Sequence, residues 1–347
     1  MNNRCLKLLS AMEDLSIDAF LITDTVNLRY FTGFTGSAGY ALFGKNHSLL
    51  VTDFRYTEQA REQAKDFCVY DVSNFDLSSF VDDKMQVGFE NNSISYLDYS
   101  HFSKNIKNLV NGDNVLEDIR SIKDAQEISL IQKAAHITDM AFEHILSYIK
   151  CGITEADIAT ELEFFMRRNG ADALSFEPIV ATGKRGAMPH ARPGDTVIQN
   201  GDLIVLDYGC MCGGYCSDMT RTVAVGDISD FHLEVYETVK KVQAECLSMV
   251  KPGAKCSDIH NYSYKVLNDK YKGCYGHGLG HGVGLKIHES PSLNSRCDKI
   301  LSPGNIVTVE PGVYITGECG VRIEDLVLIT EGGCSILSKS TKELVKI

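Results

Sequence analysis

Short apolar runs separated by polar, helix-like stretches fill the first 120 positions. The runs at 19–23, 40–43, 49–52 and 86–89 predict strands, and the stretches at 57–67 and 99–108 predict helices between or after them. Such alternation points to a small α/β domain with a mostly parallel or mixed sheet.

The texture changes at Asp124. Asp124-Ala-Gln-Glu127 has the form of a capping box, so a helix is expected from there to about residue 150. Cys151-Gly152 stops it. Thr154-Glu-Ala-Asp157 opens a second helix running to Asn169-Gly170, where the glycine can take a left-handed cap conformation. Strand-like runs follow at 176–181, 203–208 and 215–225. The plan then recurs: helices at 230–250, stopped by Pro252-Gly253, and at 257–271 precede strand-like runs at 306–314 and 321–329. Two successive units of helix pair and hairpin read as halves of one α+β domain, and repeats of this size pack face to face about a shared site.

Acidic residues sit at matching places in the two halves. Asp207 ends the run Leu203-Ile-Val-Leu, and Asp218 follows Tyr215-Cys-Ser. With residues 211–214 as the hairpin loop, the loop centre and the midpoint of 207 and 218 are both 212.5, which sets the two carboxylates opposite each other. Glu310 and Glu324 share a midpoint at Gly317, inside the turn-like Thr316-Gly-Glu-Cys-Gly320, and are expected to be opposed as well. Four carboxylates in or beside apolar strands would be costly to bury unpaired. His281, from Gly276-His-Gly-Leu-Gly-His281-Gly-Val-Gly284, adds a neutral nitrogen. Four carboxylates balance two divalent cations, and an oxygen-rich set with one nitrogen favours Mn²⁺, while Co²⁺, Fe²⁺ and Zn²⁺ also fit. Each residue alone reads as a solvated turn or a satisfied histidine; the joint pattern does not. The glycine-rich stretch interleaves histidines and lacks a strand-then-helix unit around it, which argues against a nucleotide loop.

Charge and cysteine content narrow the class. Thirty-four Lys and Arg against 46 Asp and Glu give a formal charge of −12, which disfavours wrapping a nucleic acid. Arg4, Lys7, Glu13, Asp14 and Asp18 interrupt the first apolar residues, unlike a secretion signal, and no run approaches the ~20 apolar residues of a membrane span. A cytoplasmic location is the expectation. Twelve cysteines in such a chain read as reduced thiols. Cys210, Cys212 and Cys216 form one dense cluster, yet they lack the Cys-x-x-Cys pairs that zinc thiolate sites use.

The residues Met188-Pro-His190-Ala-Arg-Pro, Leu206-Asp207-Tyr-Gly, Cys216-Ser-Asp218-Met-Thr-Arg-Thr, Gly276-His277-Gly-Leu-Gly-His281, Ile287-His288-Glu, Val309-Glu310-Pro-Gly and Val321-Arg322-Ile-Glu324-Asp resemble the metallopeptidase family of Xaa-Pro aminopeptidases and prolidases. Residues 124–347 are similar to that family's pita-bread catalytic domain with its pseudo-two-fold repeat. Residues 1–120, through Ala19-Phe-Leu-Ile-Thr-Asp, Tyr30-Phe-Thr-Gly-Phe and Thr52-Asp-Phe-Arg-Tyr, resemble its creatinase-like N-terminal domain.

The resemblance implies Asp207 as ligand of one metal, His281 and Glu310 as ligands of the other, and Asp218 and Glu324 as bridges. It implies Glu310 as proton acceptor from the attacking water. His190, His277 and His288 are then expected to bind the proline side, stabilise the oxyanion and shuttle protons, and Arg322 to support the site or meet a substrate carboxylate. Proline's nitrogen has no hydrogen and must be protonated as it leaves, work suited to histidine. The other histidines, at 47, 101, 136, 144, 232 and 260, read as structural. The expected activity is release of an N-terminal residue preceding proline from a peptide; a prolidase restricted to dipeptides is the alternative. A peptide-binding module on an inactive scaffold, or a metal-independent creatinase-like hydrolase, would be expected to lose ligands, and none is missing. The N-terminal domain argues against a methionine aminopeptidase. That domain is expected to cap the cleft, in a homodimer.

Overall fold

Strands of four to six residues bury little alone and must pair. The computed structural model describes residues 2–112 and 114–347, with Met1 and Asp113 outside them. The chain divides into two compact units, Met1–Arg120 and Ser121–Ile347.

The first unit contains α1 (Asn3–Asp14), β1 (Ala19–Ile22), α2 (Thr25–Thr32), β2 (Tyr40–Gly44), β3 (His47–Thr52), α3 (Thr57–Gln63), β4 (Cys68–Asp71), β5 (Gln86–Phe89), α4 (Tyr96–Phe102), β6 (Asn108–Asn111) and most of α5 (Val115–Ser121). One sheet, in the order β4-β3-β2-β1-β5-β6, gathers all six strands. β2 runs antiparallel to β1 and β3, and the remaining pairs are parallel, so the sheet is mixed. The helix expected at 99–108 instead starts at Tyr96, where Ser95 caps it by accepting from Asp98 N at 3.0 Å. It ends at Phe102, because residues 108–111 are drawn into the ladder with β5.

In the second unit both expected capping boxes form, at Asp124 and at Thr154. They open α6 (Ala125–Tyr148) and α7 (Glu155–Arg168); α8 (Asp230–Met249) and α9 (Cys256–Lys270) repeat the pair. The strands are β7 (Ala173–Leu174), β8 (Ile179–Thr182), β9 (Leu203–Tyr208), β10 (Cys210–Cys212), β11 (Tyr215–Cys216), β12 (Met219–Ala224), β13 (Gly280–Gly282), β14 (Glu289–Leu293), β15 (Ile306–Val309), β16 (Gly312–Ile315), β17 (Cys319–Arg322), β18 (Asp325–Thr330) and β19 (Gly333–Ile336). Each helix pair packs on its own strands. Ile137, Phe142, Ile158 and Leu162 meet Ile204, Leu206 and Val223 in one core, and Val235, Val239, Ile259 and Leu267 meet Val307, Val309 and Val327 in the other. Each such side chain gains about 1.5–3 kcal/mol by leaving water. Among the described residues no helix is long and apolar enough to cross a membrane.

The expected register of the first hairpin is off by two residues. Cys212 pairs with Tyr215, Tyr208 with Met219 and Asp207 with Thr220, so the turn is Gly213-Gly214, both at positive φ (+56° and +81°). Tight two-residue turns of this kind favour glycine at both positions, and they shift the pairing by that amount. Asp218 therefore falls diagonal to Asp207, not opposite it. In the second half the register is as expected: Gly312 pairs with Arg322 and Val309 with Asp325, which sets Glu310 level with Glu324. The runs expected at 215–225, 306–314 and 321–329 are each interrupted, and Asp218, Glu310 and Glu324 occupy the interruptions. The run at 176–181 shortens to Ile179–Thr182.

Candidate metal centre

Strand breaks free a side chain from the alternation of the ladder, and here they turn acidic groups inward together. Ligand-type atoms of Asp218, His281 and Glu324 lie within 4.8 Å of one another. His281 Nε2 is 3.5 Å from Asp218 Oδ2 and 3.3 Å from Glu310 Oε1. The fifth group, Asp207, enters from the end of β9. All five line one cavity of about 510 Å³, together with His190, His277, His288, Arg322 and Tyr314. Phe176, Pro178 and Ile287 give it an apolar wall.

Close backbone contacts draw the two halves together here. The loop carrying His190 follows a 3₁₀ turn (Gly183–Ala187) that packs directly on β17; a Cβ on Gly320 would lie 1.7 Å from Gly186 O. Buried Glu155 ties that loop from behind, accepting from Thr182 N at 2.9 Å and Arg185 Nε at 3.0 Å. Glu324 N donates to Thr220 O at 3.1 Å, and Thr222 Oγ1 donates to Arg322 O at 2.9 Å. The seam between halves thus runs through the acidic residues themselves.

Each ring and fork is oriented by a second bond. His281 Nδ1–H donates to Gly282 O at 3.1 Å, which fixes the ring with Nε2 turned toward the carboxylates. His277 Nδ1–H donates to Gly278 O at 2.7 Å, so its Nε2 accepts from the Tyr314 hydroxyl at 2.9 Å. That hydroxyl in turn accepts from Arg322 Nη1 at 2.7 Å. Arg322 also donates to Asp207 Oδ2 at 2.5 Å and to Thr220 Oγ1 at 3.1 Å. Its fork is turned inward onto protein groups. His288 is exposed, with its ring 4.3 Å from that of His281, and His190 is exposed at the cavity mouth.

Charge distribution follows from this packing. Burial pushes Asp218 well above the ordinary carboxylate range, and repulsion from Glu324, Asp207 and Glu310 adds to it. Glu324 is raised by burial and by Glu310 and Asp207, and Asp207 by burial against the pull of Arg322. Glu310 differs. Burial would raise it too, but the bond and charge of His281, with Arg322 behind, bring it down to about 2. Burial lowers His277 and His288.

Two buried oxygens, Asp207 Oδ1 and Glu324 Oε1, have no hydrogen-bond partner. An orphaned carboxylate oxygen is costly, and a cation removes that cost. Oxygen donors from four carboxylates plus one imidazole nitrogen suit a pair of divalent ions, so the residues fit the group the sequence implied. The cysteine cluster does not. Cys210 and Cys212 lie in the core beneath α6 and Cys216 near Leu285 O, and burial pushes the Cys210 and Cys216 thiols up to about 12, far from the thiolate a metal needs.

Sequence reasoning brought the five acidic and imidazole groups, the three further histidines and Arg322 to one cavity, and missed Thr220, Thr308 and Tyr314. Thr220 Oγ1 donates to Glu324 Oε2 at 2.8 Å, and Thr308 Oγ1 to Glu310 Oε1 at 3.1 Å. All three lie two or four residues along the sequence from a candidate ligand. That spacing was the available signal.

Residues 129–331 match the profile of metallopeptidase family M24, and residues 4–122 that of the creatinase/prolidase N-terminal domain. The chain is 44% identical to an uncharacterized peptidase of Bacillus subtilis, YqhT, over 98% of both chains. A solved structure of an Xaa-Pro dipeptidase from Bacillus anthracis superposes with a TM-score of 0.94 at 39% identity, covering 99% of each chain. That of an X-Pro aminopeptidase from Thermotoga maritima gives 0.90 at 35% identity, over 99% of this chain and all (100%) of that one.

Proposed function

Since the chain belongs to metallopeptidase family M24, with a creatinase-type N-terminal domain ahead of the catalytic one, we propose that it hydrolyses the peptide bond between an N-terminal residue and proline. Xaa-Pro dipeptides are the first substrate class to test, because the Bacillus anthracis relative is named for them. Xaa-Pro aminopeptidase, the activity expected from the sequence, is the second reading, favoured by the Thermotoga maritima relative. We set the domain boundary at residues 120–124.

One observation supports the catalytic reading above the rest: buried Asp207 Oδ1 and Glu324 Oε1 are unpaired beside His281 and Asp218. In this reading Asp207, Asp218, His281, Glu310 and Glu324 hold two divalent ions, with Mn²⁺ the best match to the donors. When bound, such a pair would supply Lewis acidity at the scissile carbonyl and ease loss of a proton from water, so that hydroxide is available to attack. Among the four site carboxylates Glu310 is the one held below its ordinary range, and in this reading it takes that proton. His277 stays neutral, because both its nitrogens are engaged and burial disfavours its charge. Tyr314 passes the orientation of Arg322 on to it. His288 and His190, exposed at the mouth, are free to meet the proline side and to protonate its departing nitrogen. Phe54, Tyr96 and Leu97, at 81%, 86% and 77% exposure on the N-terminal unit, suit contact with a second copy, in keeping with a homodimer. Twelve free thiols suit a reducing, cytoplasmic compartment.

The test is a panel of Xaa-Pro and Xaa-Pro-Yaa peptides on chelator-stripped protein reloaded with Mn²⁺, Co²⁺ or Zn²⁺. Turnover only after reloading is expected. Untouched tripeptides would end the aminopeptidase reading. Metal-free turnover would revive a creatinase-like hydrolase, and binding without turnover an inactive peptide module.

A further inference from the structure

Arg221 is the largest of the fully buried side chains, and none of the chemistry above uses it. A guanidinium is held out of water only where its charge and all its N–H groups are satisfied. Here all five are. Nε donates to Thr341 O at 3.0 Å; Nη1 donates to Thr220 O at 2.9 Å and to Glu324 O; Nη2 donates to Asp325 Oδ1 and to Ser340 O, both at 2.9 Å. Asp325 is held on its other oxygen by Gln243 Nε2 at 2.9 Å and Lys342 Nζ at 2.5 Å.

These acceptors belong to three separate segments. Thr220 is on β12, two residues from Asp218. Glu324 is the acidic group facing it from the second half. Ser340 and Thr341 belong to the C-terminal segment, which is itself tied to the first half where Ser340 N and Oγ donate to Asp139 at 2.8 and 2.6 Å. The Thr220–Glu324 contact is locked twice more, by Glu324 N on Thr220 O at 3.1 Å and by Thr220 Oγ1 on Glu324 Oε2 at 2.8 Å. One fork thus fixes the backbone of Glu324 against the strand that carries Asp218.

We propose that Arg221 is a positioning residue that sets the spacing of Asp218 and Glu324, with residues 340–342 as the third leg of the brace. The proposal rests on the reading that these two carboxylates bridge a pair of ions. A planar, bidentate fork is needed, because an ammonium reaches fewer acceptors at fixed angles. Loss of the fork weakens the ion that leans on Asp207 more than the one that also has His281 and Glu310, whose backbones are held within the second half, His281 N donating to Thr308 Oγ1 at 3.0 Å and Glu310 N to Leu279 O at 2.8 Å.

The experiment is a Co²⁺ titration of the full chain by calorimetry and ligand-field absorption, on the natural protein, Arg221→Lys and Lys342→Met. The natural protein takes two ions. In Arg221→Lys the weaker ion binds about 10- to 100-fold less tightly, the tighter one is unchanged, and the absorption of the second step is altered. Excess metal then restores turnover with KM unchanged. Lys342→Met, which loosens Asp325 without touching the fork, moves the same step in the same direction by less. If Arg221→Lys fails to fold, Lys342→Met decides alone. Folded variants that bind both ions as the natural protein does, or that lose both equally, overturn the proposal. A natural protein that takes fewer than two ions overturns the two-ion reading instead.

Discussion

The two halves of the catalytic unit repeat one plan but supply unlike chemistry. The first contributes Asp207 and Asp218, whose nearest charged partners, Arg322 and His281, come from the second. Glu324 takes its hydroxyl partner, Thr220, from the first. Glu310 alone is served within its own half, by Thr308 and His281, and it alone is driven toward ionisation, to about 2, while the other three are raised. A duplicated scaffold has thus become two dissimilar contributors, neither of which is a site by itself.

Paired substitutions are the sharpest way to break that comparison. Asp218→Asn from the first half and Glu324→Gln from the second each lower metal-dependent turnover by more than about a hundredfold, beyond the range of outer partners. Steady-state kinetics at saturating metal measures this, and a half whose carboxylate proves dispensable refutes joint construction. Next in size, Tyr314→Phe removes the hydroxyl between Arg322 and His277 and lowers kcat by about 10- to 100-fold with KM little changed. An unaltered kcat would show that the second half's relay has no part in turnover. The smallest effect concerns His260, whose Nδ1 accepts from Leu279 N at 3.2 Å under the glycine-rich loop. Burial holds His260 below its ordinary pKa, so the unfolded chain takes up a proton first as pH falls below about 6.5. The natural protein therefore loses stability below that pH, and His260→Gln loses less of it. Thermal denaturation from pH 7.5 to 5.5 reads the difference, and parallel curves would remove the acid-sensitive support from the second half.

Much of this was legible in the sequence, and the reasons differ by region. Both capping boxes are local devices, complete within four residues, and so they read directly. The second hairpin has a single glycine, Gly317, at its centre, with φ +82°, so its midpoint fixed the register. The first offered Gly213 and Gly214 at the end of the stretch 211–214, which was read whole as the loop, and the centre was misplaced by one residue, which moved the partner of Asp207 from Asp218 to Thr220. Asp218 still reaches the site, because the strand breaks there and Gly209 permits close approach: a Cβ at that position would lie 2.0 Å from Ser217 O. Thr220, Tyr314 and Arg221 stayed hidden because their importance lies in contacts across the seam, over 100 or so residues of chain in the case of Thr220 with Glu324.

The brace at residues 340–342 also reaches back through the last residues, where Ala224 N donates to Val345 O and Ile347 N to Ala224 O, both at 2.9 Å. Arg221 is therefore covered by a segment some 120 residues further along the chain, so loosening that segment would unseat a support of Glu324 from a place remote from the cavity.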